Sequence, residues 1–245
     1  MDLSREIRVE LLKQGASKVG YACLSDIGSL RRRGFPSAVV IGMALSPAAL
    51  QGLEDGPTQA YSDEFRRVNG RLDEMARSVE ALLRNSGFHA FARTRDTLRE
   101  DARTLRTAVP HKLLATRAGF GWIGNCNRLI TTDFGAALRL TSVLTDAPLT
   151  YDTPVTASHC GSCRECQKAC PAQAISGRNW NSESDRDEFF NAFGCRHMER
   201  ERSDTVGIAE NLCGICRAVC PYTQQYVRAA LATLAHPASV QAVHT

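Results

Sequence analysis

The stretch HCGSCRECQKACPAQAI, residues 159–175, places cysteines at 160, 163, 166 and 170 and a proline at 171. A second run, NLCGICRAVCPY at 211–222, repeats its closing part with Cys213, Cys216, Cys220 and Pro221. Seven of the ten cysteines thus lie in two tight C-x-x-C runs, and an eighth, Cys195, stands alone between them. A disulfide framework is the wrong reading of such placement, because closely spaced C-x-x-C thiols outside small secreted domains generally hold metal.

The spacing C-x2-C-x2-C-x3-C-P is that of bacterial ferredoxins, in which three thiolates wrap one [4Fe–4S] cluster and the fourth ligates its neighbour. Reach explains the division: three cysteines in one loop meet three iron corners, while the fourth opens a helix that points away. The two runs supply seven thiols and two cubanes need eight, so Cys195 is the expected remaining ligand. The assignment is Cys160, Cys163, Cys166 and Cys220 to cluster 1, and Cys170, Cys195, Cys213 and Cys216 to cluster 2. The alternative is a pair of structural zinc sites, since C-x2-C knuckles also hold Zn²⁺; a run of four ending in proline is not a zinc-ribbon spacing. Cys23 and Cys126 read as ordinary buried free cysteines. His159 and His197 flank ligands and read as packing or solvated residues, with hydrogen bonding to a cluster as the alternative.

The 245 residues are 43% hydrophobic and 23% charged, the balance of a folded, packed chain. No apolar run reaches membrane-spanning length, and the charged, helix-periodic start MDLSREIRVELLK is not a signal peptide. A cytoplasmic protein without membrane association is expected. The net charge of +4 comes from dispersed arginines, Arg31–Arg33 being the single run of three. Two thiolate-ligated clusters, each carrying about −2, would bring the protein near neutrality, so charge argues little for nucleic acid. Helices are expected at 3–13, over about 61–83 and at 111–117, and strands at 18–23, 38–45 and 88–92. Residues 128–146 read as a hairpin turning at Asp133-Phe134-Gly135. The texture becomes loop-like after Pro148. The expected organisation is an α/β (α+β) domain at 1–150 and a ferredoxin-like double-cluster domain at 151–225. A helix and tail follow at 226–245, broken at Pro237.

The order HKLLATRAGFGWIGNCNRLITTDFGAALRLTSVLTDAPL, then the first cysteine run, lone Cys195 and CGICRAVCP resembles the epoxyqueuosine reductase family, cobalamin-dependent proteins with two [4Fe–4S] clusters. The signature R-A-G-x-G-W-x-G at 117–124 and L-T-D-x-P-L at 144–149 carry the resemblance together with the cysteines. The resemblance implies a cobalamin-binding fold related to the reductive dehalogenase core. It further implies clusters that reduce a base-off corrinoid to Co(I), and a low-potential ferredoxin- or flavodoxin-type donor. No D-x-H-x-x-G motif offers a histidine to cobalt. By position, Arg117, Gly119, Gly121, Trp122 and Gly124 would face the corrin. The family's aspartate general acid falls on Leu105, leaving Asp101 as a weak catalytic candidate. About 24 residues follow Pro221, without the family's C-terminal helical repeats, so a corrinoid or nucleoside substrate is expected and tRNA is doubtful. The alternative function is an electron-transfer protein that reduces the corrinoid of a partner enzyme.

Overall fold

The computed structural model of the chain describes residues 2–235; the expected break at Pro237 and the tail lie outside the described residues. Helix α1 (Leu3–Lys13) starts where the Asp2 carboxylate accepts the Ser4 N–H at 3.0 Å, and stops before Gly15, whose φ is +97°. In chain order follow β1 (Lys18–Cys23), β2 (Ser37–Ala44), α2 (Gln59–Asn85), β3 (Ala90–Ala92) and the small hairpin β4 (Glu100–Asp101) and β5 (Arg106–Thr107). Then come α3 (His111–Arg117), β6 (Trp122–Ile123), β7 (Leu129–Ile130) and β8 (Leu138–Thr145). Thr58 caps α2 by accepting the Tyr61 N–H, and the helix turns Tyr61, Val68, Leu72, Met75, Val79 and Leu83 inward at helical spacing.

The main sheet has the order β1-β2-β8-β3, and every neighbouring pair is antiparallel. The first part is therefore α+β. Val39 and Ile41 of β2 pack with Ile7, Leu11, Leu72 and Met75 on one face. Ala38 and Val40 pack with Leu114, Ala115 and Phe120 on the other. Because alternate side chains of a strand point to opposite faces, burial on both sides explains why 38–41 is an unbroken apolar run.

The expected hairpin at 128–146 exists only at its tip, where Thr131 and Gly135 form a bridge. Its arms part: β7 pairs with β6, while β8 enters the main sheet between β2 and β3. The turn residues fix the reversal of the chain, but the burial of β8 selects its partners.

The cysteine region holds α4 (Glu165–Lys168), α5 (Ala192–Thr205), α6 (Ile215–Ala218) and α7 (Pro221–Ala235). Helix α7 thus begins at Pro221, earlier than the expected 226, with proline at the position where a missing N–H costs nothing. The change of sequence texture near residue 150 is not a gap in packing. Trp122, Ile123, Ile130 and Ala136 share one core with Ile175, Trp180 and Phe189, and Ile208 and Leu212 pack into the core of the main sheet.

Candidate iron–sulfur centres and the adjoining cavity

Each C-x2-C loop feeds a one-turn helix: Cys166 lies in α4 and Cys216 in α6, the latter entered through Gly214 with φ +89°. The fourth cysteine of the first run and the last of the second, Cys170 and Cys220, sit just past these helices and before their prolines. The cysteines fall into two groups around two cavities. Cys160, Cys163, Cys166 and Cys220 line a cavity of about 470 Å³ together with Gly124, His159 and Tyr222. Cys170, Cys195, Cys213 and Cys216 line a small separate one with Ile175 and Met198. These are the two quartets expected from the spacing. Among the described residues, no three Cys, His, Asp or Glu side chains are grouped to hold one metal ion. A single zinc draws its ligands to one point; the thiols here surround volumes instead.

Burial pushes Cys195 up to about 12 and raises Cys213 as well. Metal ligation requires the thiolate, so loading the site releases protons.

The five residues expected to face a corrin lie at the end of α3 and in the loop and strand that follow it. The Arg117 guanidinium grips Asp26 at 2.7 Å and the Cys23 carbonyl at 3.2 Å. A side chain on Gly119 would strike the Thr153 carbonyl, and one on Gly121 the backbone of Ile130, so both glycines permit close backbone packing. Trp122, only 2% exposed, stacks on His159 at 4.6 Å and meets Tyr222 edge-on at 5.1 Å. Its Nε1–H donates to Cys160 Sγ at 3.4 Å. Gly124 lies where a Cβ would come 3.5 Å from Cys160 Sγ. This loop is the seam between the sheet and the first quartet. His197 is exposed on α5.

A wide cavity, about 560 Å³, lies elsewhere, between the β4–β5 hairpin, α3 and the segment from Trp180 to Glu199. Leu105, Leu113, Ile123 and Phe189 give it apolar walls, and Cys195 and Cys216 of the second quartet reach its wall. Ion pairs tie its rim: Arg106 to Asp185 (2.5 Å) and Asp187 (2.8 Å), and Arg196 to Glu100 (2.9 Å). Arg186 adds bonds to the carbonyls of Thr104 and Leu105. Asp101 is exposed outside the cavity, its carboxylate accepting the backbone N–H of Arg103 and Thr104 in the hairpin turn. Leu105 does line the cavity, and offers no proton.

Two groups escaped the sequence reading. Lys112 lines the wide cavity, with Nζ donating to the Asn127 carbonyl at 2.8 Å and to its side-chain Oδ1. Burial, helped by nearby Arg128 and Arg186, lowers its pKa to about 7. Cys126 is 3% exposed and lines both large cavities. The neighbouring thiol of Cys166, ahead of burial, pushes its pKa up to about 12, while that of Cys216 in the other quartet acts to lower it. Cys126 is not an isolated core cysteine. The signal for both was their nearness in sequence to the signature, Lys112 lying ten residues before Trp122 and Cys126 two residues after Gly124, which spacing alone does not interpret.

A family model described as a 4Fe-4S double cluster binding domain matches residues 159–223. The chain is 34% identical over 128 residues to an epoxyqueuosine reductase of Synechocystis sp., a match covering 49% of this chain and 42% of that one. Among solved structures, a catabolic reductive dehalogenase superposes with a TM-score of 0.68 at 19% identity, over 94% of this chain and 34% of that one. An epoxyqueuosine reductase crystallised with a tRNA-Tyr epoxyqueuosine-modified stem loop gives a TM-score of 0.59 at 19% identity, over 91% and 65%. The chain spans less than half the length of the Synechocystis relative. No helix among the described residues is long and apolar enough to cross a membrane. The chain is a sequence relative of the epoxyqueuosine reductases, carries a 4Fe-4S double cluster binding domain, and shares its fold with those enzymes and with reductive dehalogenases.

Proposed function

We propose that the chain is an iron–sulfur reductase in which two [4Fe–4S] clusters deliver electrons to a corrinoid held in the wide cavity. The observation that carries this reading is the wall shared by the cavity and the second quartet, through Cys195 and Cys216. Cys160, Cys163, Cys166 and Cys220 hold cluster 1; Cys170, Cys195, Cys213 and Cys216 hold cluster 2. The donor set fits the group: apolar walls suit a corrin face, the cations of the rim suit its polar periphery, and among the described residues no histidine lines the cavity to bind cobalt. When bound, the corrinoid supplies the strongly reducing Co(I) centre. The chain's own residues shield the cavity with the Arg106 and Arg196 ion pairs, and Lys112, protonated below about pH 7, donates the proton that Leu105 cannot. A low-potential ferredoxin or flavodoxin type donor loads cluster 1.

The substrate is taken as a nucleoside or a related small molecule, and a tRNA stem loop enters as a substrate to be tested. The fold shared with the tRNA-bound reductase covers 91% of this chain, which weakens the expectation against tRNA drawn from the short C-terminal segment. Leu105 in the acid's position favours a second reading, in which the chain reduces the corrinoid of a partner enzyme.

The test is anaerobic reconstitution with iron, sulfide and cobalt counted per chain, followed by turnover. About eight iron atoms and one tightly held cobalamin with a base-off spectrum are expected. Eight iron atoms with no cobalamin uptake at tens of micromolar would sink the first reading and leave the second.

A further inference from the structure

Beside the second quartet lies a set of cations that protein anions do not balance. Arg217, between Cys216 and Cys220 in sequence, is 2% exposed, and its Nε and Nη1 have no hydrogen-bond partner among the described residues. Its guanidinium sits 5.6 Å from the centre of the Tyr61 ring. Arg128 donates from Nε to Cys216 Sγ at 3.4 Å and from Nη2 to Glu199 at 3.3 Å. Arg139 reaches Asn69 Oδ1 at 3.1 Å and covers the Phe65 ring at 4.3 Å, with Arg217 and Arg128 as its charged neighbours. Three guanidiniums face one carboxylate, Glu199. Leaving a buried arginine uncompensated is strongly destabilising, so a further anion belongs here. Four thiolates around a cubane supply one, and Cys216 of that quartet is the residue next to Arg217 in sequence. The first quartet is different: among the described residues the side-chain donor to its sulfurs is the neutral Trp122 N–H.

We propose that Arg217, backed by Arg128 and Arg139, is the counter-charge of the second cluster and holds its potential above that of the first. Cluster potentials follow net charge, hydrogen bonds to sulfur and burial, and a cation in a low-dielectric site favours the more negative, reduced cluster. An electron from the external donor reduces cluster 1 by one unit. Its transfer to cluster 2 reoxidises cluster 1 and reduces cluster 2, with no proton or further reactant needed. The bias directs that electron to the cluster bordering the wide cavity. Arg217 is a positioning residue that acts through the cluster. The inference rests on the two-cluster reading of the site.

The test is an anaerobic redox titration of the reconstituted protein followed by electron paramagnetic resonance. The second cluster is identified as the signal altered or lost in Cys195→Ser. In Arg217→Gln, the reduced-to-oxidised ratio of the second cluster at fixed potential should fall about tenfold, equivalent to about 59 mV for one electron. The first cluster should stay within about twofold. Arg217→Lys should restore most of the ratio, because charge rather than shape is at issue. Arg139→Gln, away from the ligand segments, should lower the ratio by less and decides the matter if Arg217→Gln fails to take up iron. The proposal is overturned if the second cluster does not respond, if both clusters shift together, or if Arg217→Lys behaves as Arg217→Gln. Fewer than about eight iron atoms in the unsubstituted protein would instead overturn the two-cluster reading itself.

Discussion

Gly135 sits at the tip of the β7–β8 turn with φ +55°, and a Cβ there would stand 2.5 Å from Thr223 Cα, 2.6 Å from Thr223 Oγ1 and closer still to the Thr223 nitrogen. Thr223 follows the proposed ligand Cys220 by three residues, and its Oγ1 accepts the buried Ala136 N–H at 2.9 Å. Gly135→Ala must therefore push the start of α7 away by roughly 1 Å to reach ordinary contact distance. Forcing extra volume into a packed seam costs about 1–3 kcal/mol. The left-handed backbone adds about 1–2 kcal/mol for a residue with a Cβ, and losing the Ala136 partner about 1–3 kcal/mol. The total, about 3–8 kcal/mol, is comparable with the whole stability of an ordinary domain, about 5–15 kcal/mol. The strain falls on Cys220 and spares the second quartet. Reconstituted Gly135→Ala should melt well below the parent and hold about four iron atoms in place of about eight. Asp133→Ala is the control, because it removes the exposed Lys18 ion pair at 2.5 Å, worth about 1 kcal/mol or less, and an exposed bond from the Thr132 hydroxyl, without touching Thr223. A Gly135→Ala protein with full iron content and a melting point close to that of Asp133→Ala would refute the seam argument.

Trp122→Phe keeps an aromatic ring against His159 and Tyr222 but deletes the donor to Cys160 Sγ; the first cluster's potential should fall and the second's stay, with a stability loss of about 1 kcal/mol. Redox titration and a melting curve check both parts, and an unchanged first cluster would contradict the bond. Cys126→Ala should still bind about eight iron atoms, since Cys126 touches both quartets without belonging to either; a fall to about four would make it a ligand and undo the assignment. Lys112 has its pKa lowered to about 7 from 10.5. Between those values the unfolded chain binds more protons than the folded one, so this group's contribution to stability rises with pH from about 7 to 10.5 and is flat below. Melting curves of corrinoid-free protein at several pH values should lose that upward slope in Lys112→Met; an identical slope in both proteins would show that Lys112 is not the titrating group.

What the sequence disclosed depended on how local each cause is. The helices at 3–13 and 59–85 and the strand at 37–44 follow from side-chain periodicity and from caps such as Asp2 and Thr58, which act within a few residues. The quartets were legible because the spacing of Cys160 to Cys170 limits which thiols reach one cluster. The partner of β8 was not, since Asp133-Phe134-Gly135 reverses the chain without saying which strand will pair with it. Gly119 and Gly121 announced a close approach, yet only the folded chain shows that Thr153 and Ile130 are what approaches. Arg217 was silent for a further reason: its buried charge is intelligible only beside an anion that the polypeptide does not encode.

The same contacts bear on what the cluster segment does. A free ferredoxin exchanges electrons across its own surface. Here the first quartet is roofed by Trp122 and Gly124 from the sheet side, and Cys126 lies between the quartets on a loop that belongs to neither cysteine run. Ile175, Trp180 and Phe189 complete a core begun by Trp122, Ile123 and Ile130. Removing residues 1–150 would therefore expose that core and strip the first cluster of its hydrogen-bond donor, so the cluster segment is not built to work alone. The second quartet meets a cavity whose opposite walls are Lys112, Leu113 and the β4–β5 hairpin. On the proposed function, electrons arriving at the second cluster would face a cavity that the first 150 residues wall on one side, and the cysteine region would be their supply.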